Sequence, residues 1–211
     1  MPPCKVCSTG TRAVADYHWC DSCDFISLDE SKIVSAEREK KEYSFHQNSL
    51  ENEGYVNMFR DFIDRAIRPC KPQITTALDF GSGPGPVLAE LLRREGFETD
   101  IYDKYFSPDK VYFNKKYDLI TATEVFEHLR DPLATMKLLK DHLNEGGVLA
   151  IMTLFHPNDE EEFLKWWYIR DATHIAFYTP RTLERMALEC GMRVQYCDGK
   201  RFMSLSLSSP Q

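Results

Sequence analysis

The sequence predicts an α/β protein, an open sheet with helices on both faces, behind a small N-terminal ribbon held by a metal ion. Three observations predict it. Residues 74–80, apolar and β-branched at their start, run into the glycine turn Gly81-Ser82-Gly83-Pro84-Gly85, and residues 87–94 follow with helical spacing of Val and Leu. Later apolar runs follow at 97–102, 118–123 and 148–154, with helical patterns before the first and last of them. Near the N-terminus, Cys4-Lys5-Val6-Cys7 and Cys20-Asp21-Ser22-Cys23 form two C-x-x-C knuckles.

Composition bounds what such a chain can be. Its 211 residues suffice for one ordinary domain plus a small module, and 43% hydrophobic residues suffice for a real core. The formal charge of −7 argues against broad attraction to nucleic acid or anionic membranes, which Lys and Arg dominate. Seven cysteines, four of them in two N-terminal pairs, read as metal binding in a reducing compartment rather than as a disulfide framework. No apolar run approaches the roughly twenty residues that span a bilayer. The first residues are not a basic, apolar leader, so a cytoplasmic protein is expected.

The elements are justified in order along three segments: a zinc ribbon over 1–30, a helical linker and cap over 31–72, and the sheet domain over 73–211. In the ribbon, residues 11–19 can form a hairpin between the knuckles. Each knuckle can present two thiolates to one ion, and four thiolates complete the closed tetrahedral shell of structural zinc. Cys4, Cys7, Cys20 and Cys23 are therefore read as its ligands, with an iron–sulfur centre or free thiols as alternatives. Cys70, Cys190 and Cys197 read as packing residues. Residues 28–41 are charged and read as a solvated helix or linker. Tyr55, Met58, Phe59, Phe62, Ile63, Ala66 and Ile67 recur at helical spacing, an amphipathic helix that ends before Pro69 and covers the sheet.

The glycine turn carries the chemistry. Glycines at 81, 83 and 85 tolerate positive φ and let backbone approach a ligand, while free amides at the next helix start favour a polar or anionic group. Asp103 closes the following apolar run, where a carboxylate can accept both ribose hydroxyls of an adenosine-type ligand. Another ligand in a doubly wound domain is the alternative. The spacing D-x-G-x-G-x-G from Asp79 resembles motif I of class I S-adenosylmethionine-dependent methyltransferases. The resemblance continues through Tyr117-Asp118-Leu119-Ile120-Thr121-Ala122-Thr123-Glu124-Val125-Phe126-Glu127-His128 and Leu143-Asn144-Glu145-Gly146-Gly147-Val148-Leu149, covering about the last two-thirds of the chain.

That resemblance implies a Rossmann-like methyltransferase sheet and S-adenosylmethionine as cofactor. It would be held by Asp79, Gly81, Ser82, Gly83, Gly85 and Asp103, with Thr123 and Glu124 beside its methionine portion. It also implies that residues 43–49 fold over the cofactor side, where His46, Asn48 and Tyr55 either line the pocket or belong to a polar loop packed by aromatics. One departure stands out. Too few residues separate Asp103 from Tyr117 for a full helix, a third strand and an adenine-binding acidic loop. Val111-Tyr112-Phe113 is left as a remnant strand, and Lys104 or Tyr105 flanks the base. Some quinone-pathway O-methyltransferases carry E-V-x-E-H and are thought to use a divalent cation there; Glu127 and His128 are otherwise a capping and supporting pair.

Beyond this, Asp131-Pro132 starts a helix that runs to Leu143, and Gly146-Gly147 leads into the strand over 148–154. The aromatic stretch Phe163, Trp166, Trp167 and Tyr168 precedes Arg170-Asp171-Ala172-Thr173-His174, a suitable acceptor pocket. His174 is the candidate general base, since imidazole titrates near neutrality; the competing role is a hydrogen bond to a loop carbonyl. Thr179-Pro180-Arg181 caps a helix ending at Cys190-Gly191, and residues 192–197 and 202–207 form a terminal hairpin. The expected activity is methyl transfer to a small-molecule acceptor. An RNA (guanine) methyltransferase with a zinc-ribbon recognition module and a non-catalytic scaffold are the rivals.

Overall fold

The computed structural model describes residues 1–45, 48–70 and 73–208. Three short strands, β1 (Arg12–Val14), β2 (Tyr17–Trp19) and β3 (Ile26–Leu28), make the antiparallel ribbon. Helices α1 (Ala36–Tyr43) and α2 (Glu53–Phe62) follow, and α2 continues as a π-type turn over Ile63–Ile67. Ser35 and Asn52 cap the two helices, each accepting a backbone N–H three residues on.

The main sheet contains β4 (Thr76–Phe80), β5 (Glu98–Tyr102), β6 (Tyr117–Thr123), β7 (Leu143–Met152), β9 (Met192–Cys197) and β10 (Phe202–Leu207). Its order is β5-β4-β6-β7-β10-β9. The first four strands are parallel, and β10 and β9 return antiparallel, the expected terminal hairpin. Helix α3 (Val87–Arg94) connects β4 to β5, and α4 (Pro132–Asp141) begins at the Asp131 cap, whose carboxylate accepts the Ala134 N–H at 2.9 Å. Helix α5 (Glu160–Lys165), the two-residue strand β8 (Ala176–Phe177) and α6 (Pro180–Glu189) complete the order.

Both faces of the sheet are covered because adjacent strand residues point opposite ways. Ala77, Leu119, Val148 and Ala150 pack under α2 and α3, against Phe59, Phe62, Leu88 and Leu92. Leu78, Ile120, Leu149 and Ile151 pack on the other face with Met136, Leu139, Leu183 and Met186 of α4 and α6. Cys4, Val6, Cys20, Cys23 and Phe25 belong to this second cluster, so the ribbon's knuckles lie against the sheet domain.

Two expectations are corrected. Val111-Tyr112-Phe113 is a turn, not a strand, so β5 is the sheet edge; Tyr112, 4% exposed, sets its ring edge-on to Tyr102 at 5.1 Å and covers that edge. The helix after Asp131 stops at Asp141, and β7 already begins at Leu143, with Gly146 at φ +67° inside a register shift. A bulge absorbs the glycine pair where the sequence reads as helix end and turn.

Candidate active site

The parallel strands β5, β4 and β6 diverge in connection at β4, which is where open α/β sheets bind ligands beyond the strand ends. A cavity of about 660 Å³ lies there. Its lining includes Asp79, Gly81, Ser82, Gly83, Gly85, Asp103, Lys104, Thr123, Glu124 and His174, with Trp167 and Tyr168 of the aromatic stretch, whereas Phe163 and Trp166 do not line it and pack instead with Trp19, Ile26 and Phe177. Asn48 and Tyr55 also line it; His46 lies outside the described residues.

The glycines meet specific neighbours. Gly81 has φ +84°, and a Cβ there would lie 2.2 Å from Val125 Cγ2; one at Gly85 would lie 2.2 Å from the Asn48 carbonyl oxygen. The turn is thus clamped between the residue after Glu124 and the segment leading to α2. Asp103 holds it from below: its Oδ2 accepts the Gly83 N–H at 3.0 Å, and its Oδ1 accepts those of Tyr105 and Phe106 at 2.8 and 2.9 Å. Asp79 is 2% exposed and accepts the Thr121 hydroxyl at 2.9 Å; burial pushes its carboxyl up to about 6. Lys104 places its ammonium 4.6 Å over the Tyr105 ring and 3.4 Å from Glu39 of α1, whose carboxylate also accepts the Tyr105 hydroxyl at 2.8 Å.

Glu124 directly follows β6 with φ +52°, a strained value for a residue with a Cβ and a feature concentrated at functional sites. Tyr168, from the turn over Trp167–Arg170, directs its hydroxyl at Glu124 Oε2 (2.9 Å) and at Glu127 Oε1 (2.5 Å). Burial, then mutual repulsion, raises Glu124 well above the carboxylate range; burial raises Glu127. The sequence places Tyr168 in the acceptor pocket only as one ring of an aromatic run; its role as hydrogen-bond partner of Glu124 and Glu127 leaves no local signal.

His174 is 9% exposed. Its Nδ1–H donates to the Tyr168 carbonyl at 2.8 Å, which leaves Nε2 with the lone pair, 3.7 Å from Asp171. Both roles weighed for this histidine are therefore compatible in one ring. His128 likewise donates Nδ1–H to the Thr173 carbonyl at 2.9 Å, and the two imidazole centroids are 4.8 Å apart. Burial holds His174 down to about 4 and lowers His128 as well. Glu127, His128 and His174 each offer one ligand atom within 4.8 Å of the others, a spacing compatible with one cation.

At the other end, the knuckle sulfurs converge. Cys4 Sγ is 3.6 Å from Cys23 Sγ, Cys7 Sγ is 3.4 Å from Cys20 Sγ, and all four lie within 4.8 Å of one another. A tetrahedron with bonds of about 2.3 Å has edges of about 3.8 Å, so the donor set fits a four-thiolate zinc ion. Each knuckle closes the same way: Ser8 and Asp24, both at φ +60°, return their N–H groups to the carbonyls of Cys4 and Cys20 at 3.0 and 2.8 Å. Among the described residues, no helix is long and apolar enough to cross a membrane.

Comparison with known proteins places these geometries in a family. A model described as a methyltransferase domain matches residues 42–196. A ubiquinone biosynthesis O-methyltransferase of Dinoroseobacter shibae is 30% identical over 138 residues, 61% of this chain and 54% of the relative. A tRNA U34 carboxymethyltransferase of Campylobacter fetus is 43% identical over 49 residues, 23% of this chain and 17% of the relative. The chain thus spans about half the length of the first of these and less of the second. Among solved structures, the magnesium protoporphyrin IX methyltransferase of Synechocystis, with bound SAH, has TM-score 0.56 at 12% identity over 82% of this chain and 94% of that one. At such identity the likeness is one of fold.

Proposed function

Since the chain belongs to the methyltransferase-domain family matched over residues 42–196, we propose that it transfers the methyl group of S-adenosylmethionine to a small-molecule acceptor. One observation carries this reading. A single cavity joins the glycine turn and Asp103 to an aromatic segment bearing a buried imidazole. The glycine turn and Asp103 hold the adenosine part, and Thr123 and Glu124 flank the methionine part. When bound, S-adenosylmethionine supplies an electrophilic methyl carbon and a sulfur leaving group.

The chain's own residues then have three tasks: align the acceptor, exclude water and take its proton. Trp167, 61% exposed at the cavity rim, and the buried Tyr168 ring offer flat apolar surface for alignment. His174 Nε2 takes the proton of a hydroxyl or amine. Burial keeps the ring neutral at pH 7, and the Asp171 carboxylate beside Nε2 favours the imidazolium once formed. Cys4, Cys7, Cys20 and Cys23 hold a structural zinc ion outside this chemistry.

RNA is the second acceptor class, favoured by the 49-residue match to a tRNA-modifying enzyme and opposed by the net charge of −7. The deciding experiment is calorimetric titration of zinc-loaded protein with S-adenosylhomocysteine. Micromolar binding is expected; no binding would leave a non-catalytic scaffold as the better reading. Binding to ribosomal or transfer RNA that weakens steeply with salt would move the acceptor to RNA.

A further inference from the structure

The ribbon does not stand beside the domain as a separate bead. The outer edge of β3 is taken by β8, with Ile26 opposite Phe177 and Ser27 opposite Ala176. The ladder continues past the named strands: the Leu28 N–H donates to the Ile175 carbonyl at 2.9 Å, and the Ile175 N–H donates to the Glu127 carbonyl at 2.7 Å. Thr173, His174 and Ile175 line the cavity, so this chain of backbone bonds crosses from the ribbon into its wall.

The second knuckle grips the same region from another side. The Thr182 hydroxyl donates to the Cys23 carbonyl at 2.8 Å, and His156 Nε2–H donates to the Asp24 carbonyl at 2.7 Å. Phe25, 1% exposed, packs its ring 5.5 Å from Tyr178, whose hydroxyl donates to the Phe126 carbonyl at 2.7 Å. The cofactor side draws its support elsewhere. Gly81 and Ser82 donate to the Tyr102 carbonyl, and Asp103 is satisfied by Gly83, Tyr105 and Phe106.

Strands of three residues around two knuckles bury too little to keep their geometry unaided. We propose that the four-cysteine metal site positions the acceptor wall of the cavity, residues 173–175, and the strand β8 that continues it, through β3 and the Cys23–Asp24 carbonyls, and leaves the cofactor half to the parallel sheet. The division into halves rests on the function proposed above. Leu28 and Asp24 are accordingly positioning residues, acting on His174 through backbone they hold. Loss of the metal would disable acceptor placement while cofactor binding persists.

Hydrogen exchange on the full chain tests this directly, without a known acceptor. Zinc-loaded protein is compared with protein stripped by a chelator and with Leu28→Pro, which removes one donor of the ladder and no thiolate. Amides of 173–177 are expected to exchange about 100-fold faster after stripping, with those of 76–80 unchanged and S-adenosylhomocysteine affinity held within about 3-fold. Leu28→Pro should keep its zinc and show the same selective loss around Ile175. Unchanged exchange at 173–177 after stripping, or equal loosening of 76–80, overturns the proposal. Failure of zinc-loaded protein to bind S-adenosylhomocysteine would instead count against the methyltransferase reading, and the exchange pattern would still decide the ribbon's role.

Discussion

Replacing Asp103 by Ala removes an acceptor that the fold and the proposed ligand share. Within the fold its two oxygens take the N–H groups of Gly83, Tyr105 and Phe106 at 2.8–3.0 Å. These take three of a carboxylate's roughly four lone-pair sites, so one ribose hydroxyl can donate without displacing a backbone N–H, and losing that hydrogen bond to a charged acceptor costs about 1.5–3 kcal/mol, or about 10- to 100-fold in Kd. The orphaned amides sit in a part-buried turn and should lower stability by about 1–3 kcal/mol, a few degrees in Tm. Asp103→Asn separates the two effects. Its amide oxygen can still accept from Tyr105 and Phe106, but its NH₂ then faces the Gly83 N–H, donor against donor. Asn should therefore retain most of the melting temperature and lose most of the affinity. Calorimetry with S-adenosylhomocysteine and thermal melts on the three proteins give both numbers. Affinity within about 3-fold of wild type in the Ala variant would refute the placement of the ribose.

Three further outcomes are expected. With an acceptor found by screening, His174→Ala should lower turnover by about 100-fold or more and leave S-adenosylhomocysteine affinity unchanged; equal turnover would remove His174 as the base. The Asp79 carboxyl is raised from 3.8 to about 6, so between those values the native state binds more protons than the unfolded one and wild-type stability falls as pH rises. Asp79→Asn cannot ionise, and denaturant melts should show it gaining on wild type by up to about 3 kcal/mol from pH 4 to pH 8; a pH-independent difference would contradict an ionised, buried Asp79. Gly85→Ala forces a methyl to 2.2 Å from the Asn48 carbonyl and should cost about 1–3 kcal/mol, whereas Gly10→Ala meets nothing and should melt like wild type.

What could be read from the sequence was what local chemistry dictates. Asp131-Pro132 names a helix start by cap and fixed φ, and the structure puts α4 there. The run into the glycine turn named β4, its turn and α3 for the same reason. The short segment after Asp103 announced a missing third strand by length alone, although its remnant proved to be a turn around a buried Tyr112. The β7 start was misread because Gly146-Gly147 looks like a terminator, while a bulge in a central strand uses the same residues.

The site divides along the same line. The meeting of Asp103 with the glycine turn at one cavity was legible because a strand, a glycine turn, a helix and the next strand follow one another in the chain. The junction of Ser27 with Ala176 and the hydroxyl that Tyr168 sends to Glu124 and Glu127 join residues far apart in sequence, and neither leaves a periodic trace. A two-residue strand has no alternation to read. Yet these non-local contacts determine the chemistry at the strand end. Tyr168 has one proton for two buried carboxylates, and Glu127 Oε2 has no partner among the described residues. One negative charge too many in that space is relieved by protonation, which is the direction in which burial pushes both groups. Glu124 is the member of the pair that lines the cavity, and burial together with the neighbouring Glu127 raises its carboxyl against the lowering pull of the hydroxyl of Tyr168, 44 residues away.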